Sequence, residues 1–291
     1  MTKLFVLAAL VSGAAASGAA AQTPASNPMP DGSRDMYIGL GVASKPRYEG
    51  SADREASALP VIQFQWSNGV FVSGMSAGMH LSRVPQVEFG PLLEVQPGRD
   101  ASGAGNTAGG IEATSFAIRA VPDNLPPFMP AGFPENRLAG MTEIDARLQA
   151  GAFLNLYLTP SWRLTGSALY GAGNARHGGR LDLGLQRLAM HIGAQHRVTL
   201  GAGLTLVNRS HNRAFFGVTE EESINSGNLM YAPDGGLRDV HLGARWNWAL
   251  SPSWMLTSQV QASRLQGDAR RSPLVERPTN LTVSTAIAWR F

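Results

Sequence analysis

Cysteine is absent from this 291-residue chain, which excludes a disulfide framework and any zinc site built on thiolates. Lysine is nearly absent, since only Lys3 and Lys45 occur, and charged residues make up 15% of the chain, against about 25% in typical soluble domains. No basic run marks a nucleic-acid tract, so nucleic-acid binding is not expected. No apolar run after residue 21 reaches the ~18 residues of a transmembrane helix.

The N-terminal segment has the three-part pattern of a secretory signal peptide. Lys3 supplies a positive start, an apolar run from Leu4 to Val11 follows, and Ala19-Ala20-Ala21 satisfies the small-residue cleavage rule. The apolar run is well short of the ~20 residues that a membrane-spanning helix needs. We therefore expect a signal peptide at 1–21 that is cleaved near Ala21, a flexible lead-in at 22–35, and one folded domain at 36–291.

Alternation of apolar and polar residues dominates the remaining chain and indicates β-strands. In 143–158, eight apolar residues occupy every second position, and the pattern recurs in 239–250, 254–263 and 281–291. Shorter or less regular segments raise the number of predicted strands to eleven. These segments are 36–43, 58–66, 69–81, 86–97, 161–171, 180–193 and 197–208.

One of these segments changes phase along its length. In 180–193 the leucines at 181, 183 and 185 share one face, whereas the apolar residues at 188, 190 and 192 share the other. An extra residue in the strand would restore a single apolar face, because strand side chains alternate with a period of two. We therefore predict a β-bulge near Gln186.

The length and polarity of these strands favour a membrane barrel over a soluble β-sandwich, which would also alternate. Several run to ten or more residues, near the ~9–11 of a tilted membrane-spanning strand. Their polar faces carry Gly, Ser, Thr, Gln and Asn but few Lys or Glu, unlike an ordinary face in water. Aromatic residues at strand ends are typical of a lipid–water boundary. The predicted interface residues are Trp66, Trp162, Trp248, Trp254, Trp289 and Phe291.

The pattern LTPSW at 158–162 recurs as LSPSW at 250–254, each time between two alternating segments. Proline fixes φ in a tight connection, and Trp then begins the next strand. We expect two equivalent turns at one membrane face; two ordinary turns, each with a core Trp, are the alternative. The C-terminal Phe291 resembles the signal that outer-membrane barrels present to the barrel-assembly machinery, which implies a periplasmic C-terminus.

Bacterial single-chain barrels have an even number of strands, so a count of eleven requires revision. Assignments made from the two chain ends disagree within 98–142. A twelfth strand at 110–120 resolves the disagreement, with 98–110 as a periplasmic turn and 121–140 as an extracellular loop. The predicted fold is therefore an all-β, antiparallel up-and-down transmembrane barrel of about twelve strands, with ten as the alternative.

Charged residues on the predicted polar faces would point into the barrel. We interpret them as an interior ion-pair network; a hydrolytic site built on His241 and Asp239 is the alternative. These two residues lie ~6–7 Å apart along one strand, too far for a hydrogen bond without favourable rotamers, and no third residue completes a triad. We expect no enzyme activity, metal or cofactor, because ligand spacings such as HExxH are missing. The predicted interior cluster is Glu143, Asp145, Arg147, Asp239, His241 and Arg245.

Several stretches resemble the family of MltA-interacting proteins and OmpV-like outer-membrane proteins. They are 37–66, 215–227 followed by 235–275, and the terminal AWRF. The resemblance implies a barrel surrounded by lipid and lipopolysaccharide in the outer membrane of a Gram-negative bacterium. It also implies a scaffold role between a lytic transglycosylase and a murein synthase, by analogy with one branch of the family.

Two other functions stay open at this stage, a small-solute pore and a surface adhesin that uses the loops at 121–140 and 209–236. The segment Tyr48-Glu49-Gly50-Ser51 belongs to the first stretch of resemblance and falls in the first predicted extracellular loop. Three interpretations apply to it: a surface determinant, a loop that folds into the lumen, or a simple turn.

Overall fold

The computed structural model describes residues 36–82, 84–104 and 136–291, and twelve of its strands form a closed antiparallel barrel. The strands in chain order are β1 (Tyr37–Pro46), β2 (Arg54–Gln65), β3 (Val70–Ser73), β4 (Ser76–Met79), β5 (Val87–Gln96), β6 (Arg99–Asp100), β7 (Gly103–Ala104), β8 (Arg147–Thr159), β9 (Trp162–Ala172), β10 (Gly178–Ile192), β11 (His196–Val207), β12 (Gly236–Ala249), β13 (Trp254–Leu265) and β14 (Thr279–Arg290). Strands β6 and β7 form a separate two-stranded sheet, and the other twelve confirm the predicted barrel.

Three short helices lie in the connections between strands. They are α1 (Arg209–Phe216), α2 (Glu220–Ser226) and α3 (Gly267–Arg271). No helix among the described residues is long and apolar enough to cross a membrane.

The number of strands is even, as expected, but the twelfth strand comes from a different segment than the predicted one. Segment 69–81, predicted as one strand, is split into β3 and β4 by a two-residue turn at Gly74, whose φ is 58°. Positive φ at the first turn residue is typical of tight hairpins. The proposed strand at 110–120 lies outside the described residues, and β5 pairs directly with β8 from Val87↔Leu156 to Gln96↔Arg147.

This split changes the side of the barrel on which β5 ends. One end of the barrel, the turn rim, carries Phe291, the connections at 66–69, 160–161, 193–195 and 250–253, and the connection between β4 and β5. The opposite end, the loop rim, carries the longer connections, and β5 ends there. The predicted periplasmic turn at 98–110 is therefore wrong in its described part.

Contacts of the chain beyond β5 show the same placement. Arg99 forms an isolated β-bridge with Ile144, and Gly103 packs against Arg47 of the first loop. Of the predicted loop 121–140, only the last residues are described. There, Arg137 lies 3.7 Å from Glu276, which places this part of the loop at the loop rim.

Two irregularities bend the strands. The register between β10 and β11 shifts between Arg187 and Met190, just beyond the bulge predicted near Gln186. A second shift separates the pairs Thr205↔Asp239 and Leu206↔Leu237, which leaves Arg238 as an extra residue in β12. A bulge breaks the alternation locally, and accordingly both Arg238 and Asp239 are buried.

The first and last strands close the barrel through small interior residues. Strand β1 pairs with β14 from Tyr37↔Arg290 to Ser44↔Val283. A Cβ atom added to Gly41 would lie 2.2 Å from the Thr285 carbonyl oxygen and 2.4 Å from the Ala286 Cβ. The interior of this seam is apolar, because Ala286 and Ala288 pack with Leu59 and Val61.

We predict that Gly41→Ala weakens the closed barrel, because the added methyl group has no space at the seam. The expected loss is about 1–3 kcal/mol of unfolding free energy, measured by urea unfolding of lipid-reconstituted protein with Trp fluorescence. Gly166→Ala is the matched control, since its Cβ would have no neighbour closer than 3.5 Å. Equal stability of the two variants would contradict this account of the seam.

Candidate functional site

The outer surface of the barrel is an apolar belt. Large apolar side chains are exposed on the outward face of nearly every long strand, including Leu40, Leu154, Leu183, Leu242 and Val283. Exposed apolar area on this scale is not found on soluble monomers. The belt therefore faces hydrocarbon, as in outer-membrane barrels.

The aromatic residues predicted at the interface all lie at the turn rim. Trp66, Trp162, Trp254 and Trp289 are exposed there, and Trp248 and Phe291 are half-buried. Some of them form a contiguous group, in which Trp289 stacks on Phe291 with ring centroids 5.2 Å apart, and Phe291 meets Phe64 edge-on. Amphipathic rings in this position match one girdle of a membrane barrel.

The repeated LTPSW and LSPSW segments form the same turn for the same local reason. The Thr159 hydroxyl oxygen accepts hydrogen bonds from the backbone N–H groups of Ser161 and Trp162, at 3.2 and 3.1 Å. The Ser251 hydroxyl accepts the equivalent bonds in the second copy, at 3.3 and 3.1 Å. A hydroxyl that caps its own turn in this way positions the following Trp at the start of a strand.

The half of the lumen nearer the turn rim is filled by side chains. Arg163 donates to Gln186 at 2.6 Å, Asn155 donates to Glu88 at 3.1 Å, and Arg245 donates to Gln259 at 2.8 Å. The aromatic pair Phe71 and Phe153 packs edge to face beside this network. Polar groups here are buried but hydrogen-bonded, which is the condition for placing them inside a barrel.

Nearer the loop rim, two arginines organise the charged groups. Arg180 donates to Asp182 at 2.5 Å and to Glu94 at 3.2 Å. Arg238 donates to Asp239 at 2.8 Å, and its guanidinium lies 3.5 Å from Glu49. Each buried cation thus faces two carboxylates, which offsets much of the desolvation penalty of burial.

A cavity of about 250 Å³ lies among these charged groups. Its wall includes both arginines, their carboxylate partners, His211 and His241. Helix α1 contributes part of this wall through His211, Phe215 and Phe216. The cavity is the candidate site because it brings the largest group of buried charges to one place.

The structure separates the predicted interior cluster into three groups. Asp239 and His241 line the cavity, and Arg245 lies deeper, in the filled half of the lumen. Arg147 begins β8 and pairs with Asp145 at 2.6 Å. Glu143 and Asp145 are exposed, because they precede the first residue of β8 and lie in the loop rim rather than on the interior face of a strand.

His241 and Asp239 adopt the favourable rotamers that a hydrogen bond between them requires. His241 Nδ1 lies 3.0 Å from Asp239 Oδ1, because the side chains lean towards each other next to the bulge at Arg238. The other ring nitrogen, Nε2, packs so closely on Gly203 that a Cβ there would lie 2.5 Å away. Gly203, which has no side chain, therefore leaves the space that the imidazole ring occupies.

Sequence reasoning missed Arg180, Glu94 and Arg238, which are the centre of the charged network. Glu94 and Arg180 are 86 residues apart, and a single sequence carries no signal for such a pair. Arg238 falls on the apolar phase of β12, and only the bulge turns it inward. A charged residue at an apolar position of an alternating strand is the sequence signal that would have indicated this bulge and the buried Arg238.

The segment Tyr48-Glu49-Gly50-Ser51 closes the loop rim over the cavity. Tyr48 is buried and donates from its hydroxyl to the Leu274 carbonyl at 3.1 Å. Burial raises the pKa of Tyr48 to about 12, and Glu276 acts in the same direction, so the phenol stays protonated. Gly50 adopts φ of 100° and donates its N–H to the Asn280 side-chain oxygen at 3.0 Å. The segment folds against the barrel interior, with only Glu49 exposed.

Helix α1 is held over the cavity by its N-terminal cap. The Asn208 side-chain oxygen accepts from the backbone N–H groups of His211 and Gly179, at 2.9 and 3.0 Å. This cap buries His211 beside Arg238, whose Nη1 lies 3.4 Å from His211 Nε2. Burial lowers the pKa of His211 well below its usual range, and Arg238 and Arg180 act in the same direction, so the imidazole is neutral.

Comparison with known proteins gives a family. A family model described as MltA-interacting protein MipA matches residues 38–291. The outer membrane protein Omp26La of Vibrio anguillarum is 27% identical over 90 residues, which is 31% of this chain and 34% of that protein. The chain therefore spans about a third of the length of this curated relative.

Two solved structures match the chain at low identity and low TM-score. One is a bacterial polysaccharide outer membrane secretin, with a TM-score of 0.45 and 9% identity over 88% of this chain and 98% of that one. The other is an outer membrane channel from Pseudomonas putida F1, with a TM-score of 0.42 and 10% identity over 90% of this chain and 99% of that one.

We predict that Arg180→Ala destabilises the barrel by about 3–5 kcal/mol, because it leaves the buried Glu94 and the half-buried Asp182 without their cation. The Arg180 side chain is only 3% exposed. Arg209→Ala is the control: its ion pair with Asp234 has side chains that are 60% and 62% exposed, so its loss should cost less than about 1 kcal/mol. Urea unfolding of both variants in lipid vesicles provides the measurement, and similar losses would contradict the prediction.

Proposed function

Because the chain belongs to the family of MltA-interacting protein MipA, we propose that it holds a lytic transglycosylase, and with it a murein synthase, at the outer membrane of a Gram-negative bacterium. The barrel is the anchor in this proposal and performs no chemistry itself. The observation that carries the proposal is the match of the family model over residues 38–291, which is almost the entire barrel.

We place the turn rim in the periplasm, where murein and its enzymes lie. The C-terminal Phe291 and its aromatic neighbours are at this rim, which suits recognition by the barrel-assembly machinery. A signal peptide at 1–21, cleaved near Ala21, and a lead-in at 22–35 complete the proposed route to the membrane. Lipid and lipopolysaccharide would then surround the apolar belt.

The charge of the turn rim supports a docking role. Arg187, Arg197 and Arg290 are exposed there. Within the described residues, the one acidic side chain at this end is that of Glu88, which is buried in the lumen. The exposed acidic residues of the described chain lie instead at the loop rim, among them Glu143, Asp145, Glu220, Glu221 and Asp234. A uniformly basic rim attracts an acidic protein surface and increases its association rate.

The filled half of the lumen argues against the pore interpretation. The wall has twelve strands. Its interior is therefore wider than that of a barrel of ~8 strands, which ordinary side chains just fill. Here the network around Arg163, Asn155 and Arg245 occupies the passage below the cavity. Sustained diffusion would require that network to rearrange.

The proposal predicts that crosslinking in intact envelopes captures a lytic transglycosylase with this protein. Arg197→Glu should reduce the captured amount several-fold, because it places a carboxylate in the basic rim. Arg209→Glu is the matched control, since Arg209 is an exposed arginine at the opposite rim. Failure to capture a transglycosylase, or equal loss with both variants, would refute the proposed scaffold.

A further inference from the structure

An arginine lies on the outer face of the barrel, at the edge of the apolar belt beside the loop rim. Arg54 is exposed, whereas the next residue, Glu55, faces the lumen and pairs there with Lys45. Because side chains alternate between the two faces of a strand, Arg54 faces outward. Its guanidinium reaches across β1 and donates to the carbonyl oxygens of Ser44 and Leu281, at 3.0 and 2.7 Å. These bonds hold the charge against the outer wall.

A second arginine lies beside it on the same face. Ser263 and Leu265 line the cavity, so Arg264 between them points outward. Arg264 is exposed and pairs in register with Thr279, two residues before Leu281 on β14. Neighbouring strands are ~4.8 Å apart and two residues span ~6.8 Å, so the backbone of Arg264 is ~8 Å from that of Leu281. The two guanidinium groups can therefore contact one ligand from two sides.

Neither arginine faces a carboxylate among the described residues. The hydrogen bonds of Arg54 all end on uncharged oxygen atoms, and Arg264 has no polar side-chain partner in the described chain. The carboxylates near them in the chain, Asp53, Asp268 and Glu276, each face another arginine. A cation at the edge of hydrocarbon without a counter-charge is costly. This surface therefore indicates an anion that belongs to the membrane.

The level of these arginines along the barrel matches a membrane boundary. Ile38 pairs with Trp289 of the aromatic girdle, and Pro46, which pairs with Arg54, lies eight residues further along β1. At ~3.4 Å for each residue and a strand tilt of ~40°, the two levels are ~20 Å apart along the barrel axis. The apolar band of a membrane barrel is ~25 Å tall. Arg54 therefore lies close to the headgroups of the leaflet opposite the girdle.

We propose that Arg54, Arg264 and Thr279 bind a phosphate group of lipid A, the phosphorylated glycolipid of lipopolysaccharide in the outer leaflet. Guanidinium groups bind phosphate oxygens through short, charge-assisted hydrogen bonds. Arg277, two residues before Thr279, is exposed and adds positive charge. The exposed Leu281 beneath them belongs to the apolar belt, which favours a phosphate that carries acyl chains over a free one.

This inference rests on the placement of the loop rim outside the cell, which the proposed function requires, but not on the scaffold role. Binding of lipid A to the isolated barrel involves no transglycosylase. The assay below and the crosslinking in envelopes can therefore fail independently of each other.

The test is native mass spectrometry of the full-length barrel in nonionic detergent, titrated with lipid A, with chemically dephosphorylated lipid A and with phosphatidylglycerol. Lipid A should bind saturably, at least tenfold more tightly than either of the other two lipids. Sodium phosphate at millimolar concentration should not displace it. Equal binding of either comparison lipid, or displacement by free phosphate, would overturn the proposal.

Arg264→Gln is the cleanest variant, because this side chain makes no polar contact with the described residues. It should weaken the binding of lipid A at least fivefold, and Arg264→Lys should recover most of the affinity. Arg213→Gln is the matched control, since Arg213 is an exposed arginine of α1, which covers the lumen and lies away from the belt. Equal weakening by Arg264→Gln and Arg213→Gln would reveal a general charge effect and refute the site.

Arg54→Gln tests the other cation. Combined with Arg264→Gln, it should abolish the preference for lipid A over its dephosphorylated form. Arg54 also ties β1 to β14, so urea unfolding must show that the double variant is folded. If it is not, the comparison of Arg264→Gln with Arg213→Gln decides. A folded double variant that retains the preference would contradict the assigned role of both arginines.

Discussion

Backbone polar groups that face hydrocarbon must be paired within the protein, and this constraint determines the architecture. A sheet meets it only by closing, so the pairing of β1 with β14 is as necessary as any internal pair. Closure requires the two strands to approach with little between them. Gly41 opposite Ala286, with Leu59 and Val61 packed beneath, satisfies that requirement. The small residues of the first strand therefore serve the closure that the membrane requires of the whole sheet.

Closing twelve strands creates a second problem, because the resulting ring is wider than its own side chains readily fill. The two halves of the lumen solve it differently. Long polar side chains such as Arg163 and Gln186 cross the half near the turn rim, whereas α1 and the Tyr48 segment descend over the half near the loop rim. Charges in both halves are buried in pairs, and the pairs fix the loops that carry one partner, as Glu49 does for Arg238.

The sequence predicts the outer face of the barrel, but it predicts the contacts of the interior only in part. Alternation with a period of two is a local property, so it indicated the strands, the interface aromatics and the barrel class. Two local breaks of that pattern were harder to interpret: Gly74 turns a predicted single strand into a hairpin, and the extra residue Arg238 enters the lumen from an apolar phase. The pairing of Arg180 with Glu94 depends on closure and shear, which no local pattern encodes.

The two ends of the barrel therefore differ in how the chain connects its strands. At the turn rim, short self-capped turns such as the one at Thr159 leave little chain outside the membrane, and what remains is aromatic and basic. At the loop rim, the chain folds back to neutralise and seal the interior. Because the filled half of the lumen separates the two ends, a change in the basic rim leaves the cavity undisturbed.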